Sequence, residues 1–120
     1  MPLTIFAEER QPQVFVVTIT GSIDSGTYVE LERNLSPLLN HLPLALILDM
    51  AGVDYVSSMG LSVIFKARSI MQKAGKTLML VNLRPNVKKV FDIVFVAGFG
   101  IFASMEEADR YLAKIQKGPA

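Results

Sequence analysis

The chain has 120 residues, a formal net charge of +1, 51% hydrophobic and 19% charged residues, and no cysteine. That composition excludes a disordered chain and gives no strongly basic face for nucleic acid or an anionic membrane. A disulfide framework and a thiolate metal site are excluded too, and a single histidine, His41, excludes a multi-histidine metal centre.

The chain length suits one domain, expected over 1–116 with a disordered tail over 117–120. Met1–Arg10 has no basic segment leading into an apolar core, as a signal peptide would. The longest apolar stretch, Val90–Ala103, is broken by Asp92, Gly98 and Gly100 and is too short to span a bilayer. The expectation is a cytoplasmic protein.

Leu3–Glu8 reads as a first strand and Val14–Thr20 as a second, joined by a hairpin turn that holds Pro12. Gly21 is expected to end the second strand. Asp24–Thr27 supplies cap chemistry for a first helix, with Tyr28, Leu31, Leu35 and Leu38 or Leu39 on one stripe and Pro37 disturbing its last turn. Leu44–Asp49 is a continuous apolar run, the pattern of a central parallel strand covered on both faces. Met50–Ser57 reads as a loop. A second helix is expected over Met59–Ala74, packed through Leu61, Ile64, Phe65, Met71 and the stem of Arg68, with Gly75 just past its end. Thr77–Val81 is a buried strand. Pro85 opens a third helix packed through Val87, Val90, Phe91 and Val94. A short last strand lies within Gly98–Phe102. Ser104 caps a final helix carrying Glu106 and Glu107 in its first turn and packed through Ala108, Tyr111, Leu112 and Ile115. The order is β-β-α-β-α-β-α-β-α. It predicts an α/β fold, a mixed sheet of an N-terminal hairpin followed by βα units, with about four helices packed on it.

The informative segment runs from Asp49 to Leu61, where a buried strand gives way to two serines at the start of a helix. In open α/β sheets, ligands and partners meet the carboxyl ends of the strands. The expectation places Ser58 at the N-cap, with the amides of Met59, Gly60 and Leu61 pointing toward its oxygen and Gly60 leaving the backbone open to a partner or a phosphate. Taken alone, such a serine is an ordinary helix cap. A phosphate there would be stabilised by the helix dipole and the same amides.

Three blocks together resemble the STAS domain, the fold shared by anti-sigma factor antagonists and the cytoplasmic tails of sulfate transporters. Gly21-Ser22-Ile23-Asp24-Ser25-Gly26-Thr27 is similar to the family's G-x-[hydrophobic]-D-x-x-T turn. Leu46–Asp49 with Ser58-Met59-Gly60-Leu61 resembles its strand and D-S-[S/A]-G-L segment, and Arg84–Phe91 its S-P-x-V helix start. The resemblance implies an anti-sigma factor antagonist, a protein-binding switch and not an enzyme, that acts on transcription indirectly. It implies phosphorylation on Ser58 by a partner serine kinase of GHKL type that is itself the anti-sigma factor, reversed by a PP2C-type phosphatase. Asp24, Thr27, Ser57, Ser58, Met59, Gly60 and Leu61 would form the partner-binding segment, with no cofactor and no metal, and a weak homodimer is admitted. Three features depart from the family. Ser57 stands where the family has Asp, which makes Ser57 a second candidate acceptor. Met59 stands where it has Ser or Ala, and suits an apolar contact. Val94-Phe95-Val96 delays the following glycine by about one helical turn, with Phe95 or Phe99 packing or marking a partner surface. A STAS adaptor or scaffold subunit that is never phosphorylated is the alternative.

Other chemistries fit less well. Val56–Gly60 occupies the place of a nucleophile elbow but lacks the first Gly of G-x-S-x-G, and His41 precedes the serine. Neither dinucleotide nor P-loop glycine pattern occurs around Gly52 or Gly98. Asp24, Asp49 and Asp54 could approach one another as a weak Mg²⁺ site, but a cap and loop-amide bonds explain them more simply. Arg84, Lys88 and Lys89, like Lys66, Arg68, Lys73 and Lys76, read as solvated faces.

Overall fold

The computed structural model describes residues 3–94 and 100–117. Its elements run β1 (Thr4–Gln11), β2 (Val14–Ile23), α1 (Tyr28–Asn40), β3 (Ala45–Val56), α2 (Ser58–Lys73), β4 (Thr77–Val81), α3 (Pro85–Val94), β5 (Gly100–Phe102) and α4 (Met105–Lys117). They build a mixed five-stranded sheet in the order β1-β2-β3-β4-β5. The β1–β2 hairpin is antiparallel and the remaining pairs are parallel.

The alternation of side chains along the central strand separates two cores. Leu46 and Leu48 face one side with Ile64 and Met71 of α2, Leu31 and Leu35 of α1 and Phe91 of α3. Ala45 and Ile47 face the other with Ala108 and Leu112 of α4. Burial on both faces is why β3 begins as an unbroken apolar run. On α4, Tyr111 and Ile115 lie farther out than expected. Both are partly exposed, with the Tyr111 ring 5.2 Å from that of Phe102.

Helix ends follow their sequence signals. Gly75, at φ 74°, closes α2 with its own amide on the Gln72 carbonyl (3.0 Å) and that of Lys76 on Met71 (2.8 Å), the Schellman pattern. Ser104 accepts from the Glu107 amide, and the Glu107 carboxylate reaches back to the Ala103 amide, a variant of the capping box. Pro37 lies inside α1, which nevertheless runs to Asn40 and ends in tight bonds from His41 to Leu38 and from Leu42 to Leu39. Helix α4 takes in Lys117, the first residue of the expected tail. The expectations for Phe95, Val96, Gly98, Phe99 and residues 118–120 lie outside the described residues.

Two expectations fail at the same place. Gly21 does not end β2, and Met50–Val56 is not a loop. β3 continues to Val56, pairing Gly52 with Thr20, Val53 with Gly21, Tyr55 with Ser22 and Val56 with Ile23. The register shifts twice, between Thr18 and Thr20 and between Gly21 and Ser22, each time with one extra residue on β3. These are bulges, and they bend the strand as they lengthen it. Gly21 takes φ 119°, a conformation open to glycine, and so carries the chain through the second bulge. At Gly52 a Cβ would stand 2.8 Å from Thr20 Oγ1, so glycine is what lets the strands approach.

Candidate functional site

The extended β2–β3 pair delivers the site. β2 ends at Ile23 and hands the chain to Asp24; β3 ends at Val56 and hands it to Ser57. The Ser57 amide donates to the Ile23 carbonyl at 2.8 Å, which ties the two exits together. Across the same pair, the Ser22 hydroxyl donates to Asp54 Oδ1 at 2.6 Å.

The first exit is a closed turn. Asp24 Oδ1 accepts from the Gly26 amide at 2.8 Å. The Thr27 hydroxyl accepts from the Asp24 amide at 2.9 Å and donates to the Ser22 carbonyl at 2.7 Å, with Asp24 Oδ1 at 3.2 Å. Thr27 is buried, so it shapes the turn from beneath the surface, while Asp24 stays half-buried beside it.

The second exit corrects the expected cap. Ser57, not Ser58, is the N-cap of α2: its Oγ accepts from the Gly60 amide at 3.2 Å and its carbonyl from the Leu61 amide at 2.9 Å. Ser58 is the first helical residue and is exposed. The cap falls on Ser57 because its extended backbone (φ −82°, ψ 171°) continues the strand, so the helix turns one residue earlier than expected. The amides of Ser58 and Met59 precede the first helical bond and have no carbonyl to meet within the helix. Gly60 and Leu61 are buried. Gly60 therefore faces inward onto Ile23 and does not open the backbone to a partner. Met59, the residue after Ser58, is 42% exposed, and Tyr55, three residues before Ser58 near the end of β3, is 53% exposed.

Replacing Ser57 by Ala should cost about 1 kcal/mol through loss of the cap. Ser57→Asp keeps a capping oxygen and adds a negative charge at the positive end of the helix, so it should hold or raise stability. Urea unfolding of the two variants checks both; an alanine variant as stable as the parent contradicts the cap.

Sequence reasoning missed the links that fix this end of the sheet. Asp49 bonds the Ala51 amide, as a loop-type carboxylate should, but its Oδ1 also accepts from Asn82 Nδ2 at 3.1 Å. Arg84 Nε donates to the Ala51 carbonyl at 3.0 Å and Asn86 Nδ2 to the Asp54 carbonyl at 2.8 Å. Arg84 is thus attached to β3, whereas the basic run suggested a purely solvated face. Asp24 and Asp54 make separate bonds in this end of the fold, and among the described residues no group of acidic and histidine side chains has the arrangement of a metal site.

The Ser22 hydroxyl holds the Asp54 carboxyl below its ordinary value of 3.8; desolvation works against it, while the residue's own backbone amide and the Arg84 guanidinium act in the same direction as Ser22. A depressed carboxyl contributes stability that is present above the unfolded-state pKa and is lost as the pH falls through the folded one. Any such contribution therefore begins to fade as the pH falls below about 3.8. Ser22→Ala should return Asp54 toward the ordinary value. Carboxyl NMR titration of the two proteins reads this, and an unchanged midpoint would remove the Ser22 bond as its cause.

The family model for the STAS domain matches residues 6–108. The chain belongs to the STAS domain family. A Bordetella bronchiseptica protein named as a candidate anti-sigma factor antagonist, BtrV, is 28% identical over 96 residues, covering 79% of this chain and 83% of that protein. An anti-sigma factor antagonist from Mycobacterium paratuberculosis superposes with a TM-score of 0.82 at 22% identity, covering 91% of this chain and 92% of that one. SpoIIAA in its unphosphorylated form superposes at 0.73 with 17% identity, over 92% and 98% of the two chains. The Bacillus protein in its phosphorylated form gives 0.72 at 15% identity, over 90% and 99%. At these identities the structural likenesses establish the fold. The STAS chain described here shares its mixed sheet and four helices, and no helix among its described residues is long and apolar enough to cross a membrane.

Proposed function

We propose that this STAS domain is an anti-sigma factor antagonist-like switch, working in the cytoplasm by binding and not by catalysis, and controlled by reversible phosphorylation of Ser58. The observation that carries the reading is the division of labour between the two serines. The Ser57 oxygen is used by the helix cap, while Ser58 is exposed at the first position of α2, followed by the exposed Met59. An exposed hydroxyl on a rigid support can enter a kinase active site, and the exposed apolar Met59 beside it suits a partner that must recognise the unmodified form. The name of the Bordetella relative supports the same class, and SpoIIAA, a fold neighbour, is described in both phosphorylated and unphosphorylated forms.

In this reading the partner is an anti-sigma factor that is also a serine kinase of GHKL type. Its ATP gives a phosphoryl group to Ser58 Oγ, with ADP leaving and the hydroxyl proton passing to the kinase. A PP2C-type phosphatase reverses the step. The unmodified domain binds the partner and frees a sigma factor, so transcription responds indirectly. Asp24 and Thr27 act by shaping the turn beside Ser58, and Gly60 and Leu61 by seating α2; Ser58 and Met59 meet the partner.

Intact-mass analysis and phosphopeptide mapping test the reading, on protein recovered from its own cells and after incubation with its kinase and ATP. One phosphate on Ser58, absent from Ser58→Ala, is expected. Phosphate on Ser57 would reassign the acceptor. No phosphate under either condition, with the partner still bound, would leave a constitutive STAS adaptor.

A further inference from the structure

β4 pairs with β3 only as far as Asp49, opposite Val81. β3 then runs on through Val56, seven residues past the end of that ladder. One edge of the extension is held by β2. The other edge faces the start of α3, where no strand among the described residues pairs with it. An unpaired edge beside a functional segment should fray, because its backbone groups have no ladder.

The β4–α3 turn occupies that edge with side chains. Arg84 Nε takes the Ala51 carbonyl and Asn86 Nδ2 the Asp54 carbonyl. The first turn of α3 is anchored on the same residue, since the Arg84 carbonyl accepts from the amides of Val87 and Lys88 at 3.0 and 2.8 Å. Two side chains from a fixed helix start thus stand in for a missing strand. We infer that Arg84 and Asn86 are positioning residues for the Ser57–Ser58 segment, holding the bulged end of β3 from the side opposite β2 and so fixing where Ser58 is presented.

This role belongs to a donor atom, not to a charge. Glutamine places its Nε2 where arginine has Nε, so Arg84→Gln keeps the bond to Ala51 and deletes the positive charge. Lysine has a carbon at that place, so Arg84→Lys keeps the charge and loses the bond. Asn86→Asp keeps the shape and loses the donor. If Arg84 were instead a cationic docking point for an acidic partner, the order would reverse, with Lys active and Gln not.

Amide hydrogen exchange of the purified full chain reads the positioning without any partner. Arg84→Lys and Asn86→Asp should each speed exchange at Val53–Ser58 by about tenfold, the scale of one lost hydrogen bond, with Leu46–Leu48 and the urea midpoint little changed. Arg84→Gln should stay within about twofold of the parent. Uniform exchange across all variants, or Lys behaving as the parent while Gln does not, overturns the inference. Its consequence for Ser58 rests on the switch reading. Where the parent accepts phosphate, the Lys and Asp variants should do so more slowly at saturating kinase, and Gln at the parental rate. A parent that takes no phosphate refutes the switch and leaves the exchange result standing, whereas equal rates with altered exchange refute the positioning of Ser58 alone.

Discussion

A phosphate on Ser58 is expected to weaken the complex with the kinase partner by roughly a hundredfold or more, equivalent to about 3 kcal/mol. The phosphate brings a charge of roughly −1.5 to −2 to a surface that also carries the exposed apolar Met59. Met59 follows Ser58 directly and is exposed, so a partner that covers it also removes water from the new charge. Inside the free domain the balance differs. The amides of Ser58 and Met59 sit at the positive end of α2 without helical acceptors, so the phosphate is tolerated or mildly favoured there, by about 0.3–1 kcal/mol. On the proposed reading the switch therefore acts on the interface and not by unfolding the domain. Titration calorimetry with the purified partner measures this, using the parent, the phosphoprotein, Ser58→Ala and Ser58→Glu. Ser58→Ala should bind as the parent does. Ser58→Glu, with a single charge, should lose less than the phosphoprotein, and its thermal midpoint should not fall. Equal affinities for phosphorylated and unmodified protein would defeat the mechanism, and a phosphoprotein that melts well below the parent would move it from the interface to the fold.

The succession of strands and helices was legible because it rests on local patterns: the apolar run of Ala45–Leu48, the stripes of α1 and α2, and the glycine past α2. The second half of β3 was not. Its residues Met50, Val53 and Val56 are all buried, a spacing of three that departs from the strand period of two. Two bulges produce that spacing, and their polar and glycine residues resemble a loop when the partner strand is unknown. Gly21 misled for the same reason, being the β2 residue opposite a bulge and not a terminator. At the site, the start of the helix was readable and its N-cap was off by one residue. Ser57 and Ser58 are alike as caps, and only the backbone of the preceding strand decides which one turns inward. The bonds from Ser22 to Asp54 and from Asn86 to Asp54 join residues some thirty positions apart. They follow from register, which composition and periodicity do not contain.

Gly60→Ala is expected to destabilise the fold by about 2 kcal/mol and to disturb Ser58 more than that loss implies. A Cβ at this position would stand 2.6 Å from Ile23 Cγ2, 3.1 Å from the Ile23 carbonyl oxygen and 3.1 Å from Val56 Cγ1. Ile23 is fully buried and β-branched, so its methyl has little rotamer freedom with which to withdraw. Overpacking of this kind costs about 1–3 kcal/mol, and the backbone contact pushes toward the upper end. Alanine's helix preference returns up to about 1 kcal/mol, leaving a net loss. The strain falls on a particular joint. The Ile23 carbonyl is the acceptor of the Ser57 amide, so lifting α2 from Ile23 moves the cap, the first helical turn and Ser58 together. Urea unfolding gives the stability term, and the phosphorylation rate per folded molecule gives the positional one. A double-mutant cycle with Ile23→Ala, which removes the obstructing methyl, separates them: in that background Gly60→Ala should cost much less than in the parent. If Gly60→Ala is neutral in the parent, or its cost is the same in both backgrounds, the close seat of α2 on Ile23 is not what requires glycine. If stability falls and Ser58 still accepts phosphate at the parental rate per folded molecule, the seat supports the fold without governing the acceptor.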